Sequence, residues 1–304
     1  IISTLDVNVQ RIVEKKIKDF RSTWKCENTG VIVMNPNNGA IYAMVSNEGF
    51  DLNEPRNLSA YYTQEEIEAM SEEETLNALN RMWRNFCISD TYEPGSTFKP
   101  FTVAAALEEN LVKAADTFTC DGYRNVAGYR INCNRRSGHG VVTLTEALMK
   151  SCNPALMSIG ELLGRDEFYR YQEHFGFGQK TGVDLPGESG SILISLENLN
   201  VTELATSSFG QSFNITMVQL ASAFCSLVNG GYYYQPHVVE QIRNAAGTVV
   251  YENQGVVLTA SVSEKTSEFM RQAMFMTVDS GTASPAKVEG YLVGGKTGTA
   301  QKGV

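Results

Sequence analysis

Basic residues are in short supply. Lysine and arginine number 25 against 34 aspartates and glutamates, a formal net charge of −9. A nucleic-acid partner needs a basic face, so this balance argues against one. Long apolar runs are missing too: no stretch is long enough to span a bilayer, and no secretory signal opens the chain, which begins abruptly at Ile1-Ile2-Ser3-Thr4-Leu5. The expectation is a piece of a longer protein whose export signal or anchor lies outside it. Repeats and low-complexity tracts are absent. Cysteine is too sparse for a disulfide scaffold; Cys26, Cys87, Cys120, Cys133, Cys152 and Cys225 are spread along the chain and do not reveal its compartment. What remains is an ordinary globular composition, 42% hydrophobic and 19% charged over 304 residues, enough for one large core or two lobes.

Apolar residues at Val9, Ile12, Val13, Ile17, Phe20 and Trp24 recur at helical spacing, so residues 6–24 read as an amphipathic helix. Two β-type runs, 30–34 and 40–45, flank the turn Asn35-Pro36-Asn37-Asn38-Gly39 and predict a hairpin. A helix followed by an antiparallel hairpin begins an α+β domain. Residues 50–80 are acidic and read as a solvated connector with short helices. Strands are expected from Cys120 to Cys133. A helix capped by Thr143 or Thr145 should end at Ser151-Cys152-Asn153-Pro154, where proline forces a break. Residues 155–175, 215–228 and 262–279 read as helices, and Gly230-Gly231 terminates the second of these. The terminal stretch 290–300 reads as a strand whose glycines admit a close backbone.

The chain is organised around Tyr92-Glu93-Pro94-Gly95-Ser96-Thr97-Phe98-Lys99-Pro100. Pro94 and Gly95 stop the preceding segment, and an apolar run through Leu107 predicts a buried helix with Ser96 in its first turn. Lys99, three residues on, shares its face. A serine hydroxyl needs a base, and a lysine is a base only when desolvation or a nearby positive charge keeps it neutral. By itself the pair reads more readily as a helix cap beside a surface lysine, since Ser-x-x-Lys recurs by chance in many chains.

Two further motifs follow in order: Ser151-Cys152-Asn153 and Lys296-Thr297-Gly298-Thr299. Together with Ser96-Thr97-Phe98-Lys99 they make the trio of β-lactamases and penicillin-binding proteins. From about residue 28 onward the chain resembles the transpeptidase domain of class B high-molecular-weight penicillin-binding proteins, and 1–304 is taken as one such domain of two interleaved lobes. The resemblance implies an antiparallel sheet flanked by helices beside an all-helical subdomain, with the site between them. It implies Ser96 as acylated nucleophile, Lys99 as base, Ser151 as proton relay, and Asn153 as holder of Lys99 and the substrate amide. Lys296 would keep Lys99 neutral and draw the donor's carboxylate. Thr297 and Thr299, around Gly298, would bind that carboxylate, and the N–H groups of Ser96 and Thr299 would form the oxyanion hole. No cofactor is required for catalysis. The implied partners are peptidoglycan stem peptides ending in D-Ala-D-Ala, β-lactam antibiotics and a glycosyltransferase in the membrane. The implied location is the cell membrane, with the catalytic domain outside. The family's pedestal, anchor, and the two strands and helix that follow its third motif are not in the sequence.

A serine β-lactamase and a β-lactam-sensing domain share these motifs. Glu197 with Asn198 and Asn200 has some likeness to the glutamate loop of class A lactamases, but its spacing does not match. One constellation stands outside the serine motifs. Cys120 and Cys133 flank the predicted hairpin, and His139 follows within a short loop. Two thiolates and an imidazole suit a structural tetrahedral zinc, with Asp121 as the nearest fourth ligand. A hairpin disulfide and free thiols are the competing readings. His174 reads as a helix-end residue, His237 as structural, and Cys26, Cys87 and Cys225 as buried thiols.

Overall fold

In the computed structural model, residues 1–46 and 49–300 are described. Asp6 starts the first helix, Val7–Thr23, by accepting hydrogen bonds from the N–H groups of Asn8 and Val9. Gln10 on that helix bonds the Met44 backbone in both directions, which ties the helix to strand Ile41–Ser46. That strand pairs antiparallel with Gly30–Met34, as the turn residues between them predict. Ile2–Ser3, Val239–Arg243 and Val249–Glu252 form a three-stranded antiparallel sheet with the middle strand shared. The two pieces meet where Asp6 N donates to Tyr42 O (2.9 Å) and Ile41 N to His237 O (2.9 Å). His237 is buried at this junction, in keeping with a structural role.

The second lobe is helical. Lys99–Glu108 packs on Asn153–His174, and Glu264–Asp279 packs on Lys99–Glu108, Leu144–Met149 and Met217–Val228. Its core is aromatic at the centre. Phe98 stacks on Phe101, Phe168, Phe177 and Phe213 at centroid separations of 4.8–6.0 Å. Two short antiparallel strand pairs complete it, Thr117–Cys120 with Gly140–Thr143 and, as a hairpin between them in sequence, Tyr123–Val126 with Tyr129–Asn132, both against the Asn153–His174 helix. The class is α+β with antiparallel pairing, as expected.

Three local expectations change. The acidic stretch is more than a solvated connector: Glu66 and Glu74 complete capping boxes with Thr63 and Ser71 for helices Gln64–Ala69 and Glu72–Trp83. Those helices enclose a small core of Leu58, Ala78, Leu79 and Met82. Residues 290–300 form no strand. A strand exists only through a ladder partner, and no described segment pairs with this one; Gly295 N instead donates to Met274 O of the neighbouring helix (3.1 Å). Of the three cysteines read as buried, Cys87 is so, while Cys26 and Cys225 are partly exposed.

One glycine contact fixes the turn that carries Ser96. Gly95 N donates to Gly210 O (2.8 Å), and a Cβ on Gly210 (φ +91°) would lie 1.9 Å from Gly95 O. Gly210→Ala is therefore expected to lower the melting temperature more than Gly128→Ala. The latter has a similar φ of +87° with nothing within 4 Å of its Cβ, so it carries only the left-handed backbone cost of about 1–3 kcal/mol. Equal losses in thermal melts would contradict the contact.

Candidate active site

Pro94 and Gly95 set up a 3-10 turn, Gly95–Phe98, and the α-helix begins only at Lys99. Ser96 thus precedes the α-helix rather than lying in its first turn. In a 3-10 turn residues i and i+3 eclipse, so Lys99 stands over Ser96; Lys99 N donates to Ser96 O. Pro100 suits the helix start because its missing N–H would have had no partner there. The Lys99 side chain is fully buried.

Lys99 Nζ has three polar neighbours: Ser151 O at 2.7 Å, Asn153 Oδ1 at 2.7 Å and Ser151 Oγ at 3.0 Å. The orientation of Asn153 is fixed because its Nδ2 donates to Asn132 O (2.9 Å). Lys296 Nζ approaches from the other side, 2.9 Å from Ser151 Oγ. Burial first, and the Lys296 charge second, pull the Lys99 amine down to about 7. Burial likewise lowers Lys296, to about 8. A neutral Lys99 has two N–H groups and one lone pair. The two carbonyl oxygens take the N–H groups, so the lone pair faces the Ser151 hydroxyl. With Cε, these three neighbours fill the four directions around the nitrogen.

Ser151 holds its place at a backbone cost, with φ +53° in the left-handed region. It closes the Leu144–Met149 helix: its N–H bonds Leu148 O, and Cys152 N bonds Ala147 O. Thr143 is the cap of that helix, with Glu146 completing the box. Asn153 opens the next helix with Pro154 behind it.

The third motif lies across the serine turn. A Cβ on Gly95 would meet Thr299 O at 2.4 Å, and one on Gly298 would meet Thr97 Cγ2 at 2.7 Å. Both glycines admit a backbone approach that brings Thr299 beside Ser96. Thr297 Oγ1 bonds Thr282 Oγ1 (3.3 Å). The structure thus brings Ser96, Lys99, Ser151, Asn153 and the segment Lys296–Thr299 together. Glu197 is exposed, and Asn200 is used as the cap of helix Val201–Ser207. His174 ends its helix, as read from the sequence.

The thiol cluster also forms, with one change of member. Cys120 Sγ, Cys133 Sγ, His139 Nδ1 and Cys152 Sγ all lie within 4.8 Å of one another. Asp121 is not in the cluster. The strand ends at Cys120, and Asp121 lies exposed in the bend that follows it. Sequence spacing missed Cys152 because it arrives from a different element, through the second serine motif itself. Gly138 (φ +82°) lets the His139 loop lie on the hairpin base, since a Cβ there would sit 2.3 Å from Cys120 O. All six cysteines are free thiols, so the hairpin disulfide is not formed. His139 Nδ1 is 3.5 Å from both Cys120 Sγ and Cys133 Sγ. That matches the S···N edge of about 3.5 Å in a tetrahedron built on Zn–S and Zn–N bonds. The buried thiols share protons: Cys152 donates toward Cys133, which lowers Cys133 and raises Cys152.

Comparison with known proteins agrees with this geometry. Residues 29–304 match the family model for the penicillin binding protein transpeptidase domain. Stage V sporulation protein D of Bacillus subtilis is 38% identical over 301 residues, 98% of this chain and 44% of that protein. Peptidoglycan D,D-transpeptidase MrdA of Acinetobacter baumannii is 27% identical over 309 residues, again 98% and 44%. The chain therefore spans less than half the length of these curated relatives. Among solved structures, the D,D-transpeptidase domain of a peptidoglycan glycosyltransferase from Eggerthella lenta superposes with a TM-score of 0.84 at 26% identity, covering 99% of this chain and 71% of that one. Penicillin-binding protein 3 of Mycobacterium tuberculosis, in complex with aztreonam, has the same fold. Its TM-score is 0.86 at 24% identity, over 99% of this chain and 64% of that one.

The paired amines make a direct prediction. With 13C-labelled lysine, NMR should show one lysine titrating near pH 7 and a second near pH 8. Lys296→Ala should remove the second and raise the first, because the Lys296 charge disfavours a proton on Lys99. A protein with no lysine titrating below pH 9 would contradict the assignment.

Proposed function

Because the chain belongs to the penicillin-binding protein transpeptidase domain family, we propose that it is the catalytic domain of a peptidoglycan D,D-transpeptidase acting through an acyl-serine. The observation that carries this reading is the buried Lys99 amine, held between Ser151 and Asn153 one 3-10 turn from Ser96. Ser96 Oγ attacks the carbonyl carbon between the two terminal D-alanines of a donor stem peptide, and its proton passes to Lys99. The Ser151 hydroxyl relays a proton to the departing D-alanine amine as the peptide bond breaks. An amine of a second stem peptide then attacks the ester, and the proton it loses returns to Ser96. Lys296 and Thr297 hold the donor carboxylate. The Ser96 and Thr299 N–H groups stabilise the oxyanion. A β-lactam enters as a donor mimic whose leaving group stays tethered. Glu197 is exposed on a loop with other uses, which favours slow release of the acyl group over a lactamase.

The full-length protein is placed in the cell membrane with this domain outside, where its substrate lies, beside a glycosyltransferase partner. Among the described residues no helix is long and apolar enough to cross a membrane, so an anchor would belong to another part of the protein. The identity with stage V sporulation protein D supports a setting in sporulation. Deletion of the gene should then block spore formation while vegetative growth continues; a division defect would contradict it.

We also propose a structural zinc held by Cys120, Cys133, Cys152 and His139. Three thiolates and an imidazole would fix the metal in a closed tetrahedral site, so it supplies folding energy and no open coordination position. Through Cys152 it would pin Ser151 and Asn153.

Two experiments test these readings. Intact-protein mass spectrometry with penicillin should show one adduct that is lost in Ser96→Ala. Its rate should rise with pH through about 7 as Lys99 loses its proton, then fall above about 8 as Lys296 loses its charge. An adduct that survives Ser96→Ala would overturn the nucleophile. Elemental analysis should give one zinc per chain in wild type and a loss in Cys152→Ser, with a lower melting temperature; Asp121→Asn should keep the metal. Metal-free wild type with two fewer titratable thiols would make the cluster a disulfide instead.

A further inference from the structure

A cavity of about 520 Å³ lies outside the serine motifs, within the ordinary range for small-ligand sites. One wall is the hairpin at Arg124 and Asn125, another is the helix Asn153–His174, and the third is the turn into helix Val201–Ser207. None of Ser96, Lys99, Ser151, Asn153 or Lys296 lines it. It begins at Met157, one helical turn from Asn153, a rise of about 6 Å. Its floor is apolar, with Met157 and Leu204, and its rim is polar, with Asn125 and Asn200.

The charges at the rim are unequal. Arg124 is satisfied by Ser158 and Glu161. Among the described residues, the one ion pair of Arg165 is with its chain neighbour Asp166, at 3.8 Å, and its side chain is 56% exposed. A break at Gly164 (φ 73°, ψ 165°) sits between Glu161 and Arg165, and no atom lies within 4 Å of where a Cβ would stand. The break is thus not forced by packing there, and the residue after it lines the cavity. Two arginines and one glutamate give the lining a net positive charge on a chain of net −9. Such a site favours an anionic ligand with apolar parts, and a guanidinium with spare donors favours a carboxylate.

Resting on the transpeptidase reading, we propose that this cavity is a second peptide subsite, which takes a carboxylate-bearing segment of the acceptor stem peptide. The reaction joins two peptides, and Lys296–Thr299 account for only the donor's terminal carboxylate. Stem peptides combine carboxylates with alanine methyls, the chemistry of this rim and floor. A ligand seated along the Asn153–His174 helix would present its free end toward the acyl-serine.

The test separates the two readings. The protein is first acylated at Ser96 with penicillin, which closes the donor site, and acylation is scored by mass. A synthetic stem pentapeptide is then titrated by calorimetry. Acylated wild type should bind it. Arg165→Glu, and Val201→Trp at the exposed mouth, should each weaken binding at least tenfold, while Lys15→Glu, the same charge change on the distant first helix, should leave it unchanged. Melting temperatures check that the variants fold. Equal affinity in Arg165→Glu and wild type, or no binding by a fully acylated protein, would overturn the subsite and leave the transpeptidase reading standing. Failure of acylation itself would overturn the transpeptidase reading and the subsite with it.

Discussion

A lysine amine sealed from water is the constraint on which the site depends. Lys99 has no exposed surface, and its amine is lowered from 10.5 to about 7. A shift of that size corresponds to a difference on the order of 5 kcal/mol between the two protonation states. The fold sustains it by surrounding the nitrogen with acceptors it can satisfy while neutral. Ser151 O and Asn153 Oδ1 take its two N–H groups, and the Ser151 hydroxyl meets its lone pair. Phe98 and Phe101, on either side of Lys99 in sequence, are buried in the aromatic core. The proposed mechanism draws on three features of this arrangement: an amine that is neutral near pH 7, a hydroxyl in contact with it, and a second amine whose charge disfavours a proton on the first.

The arrangement requires Ser151 in a left-handed conformation, which a serine resists. The N–H groups of Ser151 and Cys152 donate to the carbonyls of Leu148 and Ala147 at the end of the preceding helix, and Cys152 is buried among two other thiols and an imidazole. The cluster therefore sits next to Ser151 and Asn153, the two residues that hold the Lys99 amine. Its hairpin continues outward to the cavity wall at Arg124. One small sheet thus touches the thiol cluster at its base, Asn153 through the Asn132 carbonyl along its length, and the proposed peptide subsite at its tip.

Features set by local spacing were legible in the sequence. The serine-to-lysine interval, the Thr143 cap, the first hairpin and the long helices all rest on residues a few positions apart. The three ordered motifs identified the family before any geometry was available. Features set by distant residues were not legible. Cys152 joins the thiol cluster from another element, and Asp121 falls in an exposed bend just past the strand that ends at Cys120. The strand expected over 290–300 needed a ladder partner that pattern alone does not supply. The 3-10 turn before Lys99 starts at Gly95, which has φ +55° and donates its N–H to Gly210 O, a contact across the fold. Capping boxes in the acidic stretch were visible as Thr63 with Glu66 and Ser71 with Glu74, yet charge density masked them.

The central claim is that Lys99 activates Ser96 for transfer to an amine. It is tested most directly by following a donor peptide ending in D-Ala-D-Ala through the protein by mass spectrometry, in the presence of a D-amino acid as acceptor. The account predicts an ester on the peptide containing Ser96, heavier by the donor less one D-alanine, which disappears as the amine-transfer product accumulates. Release of D-alanine with no ester at Ser96 would contradict it.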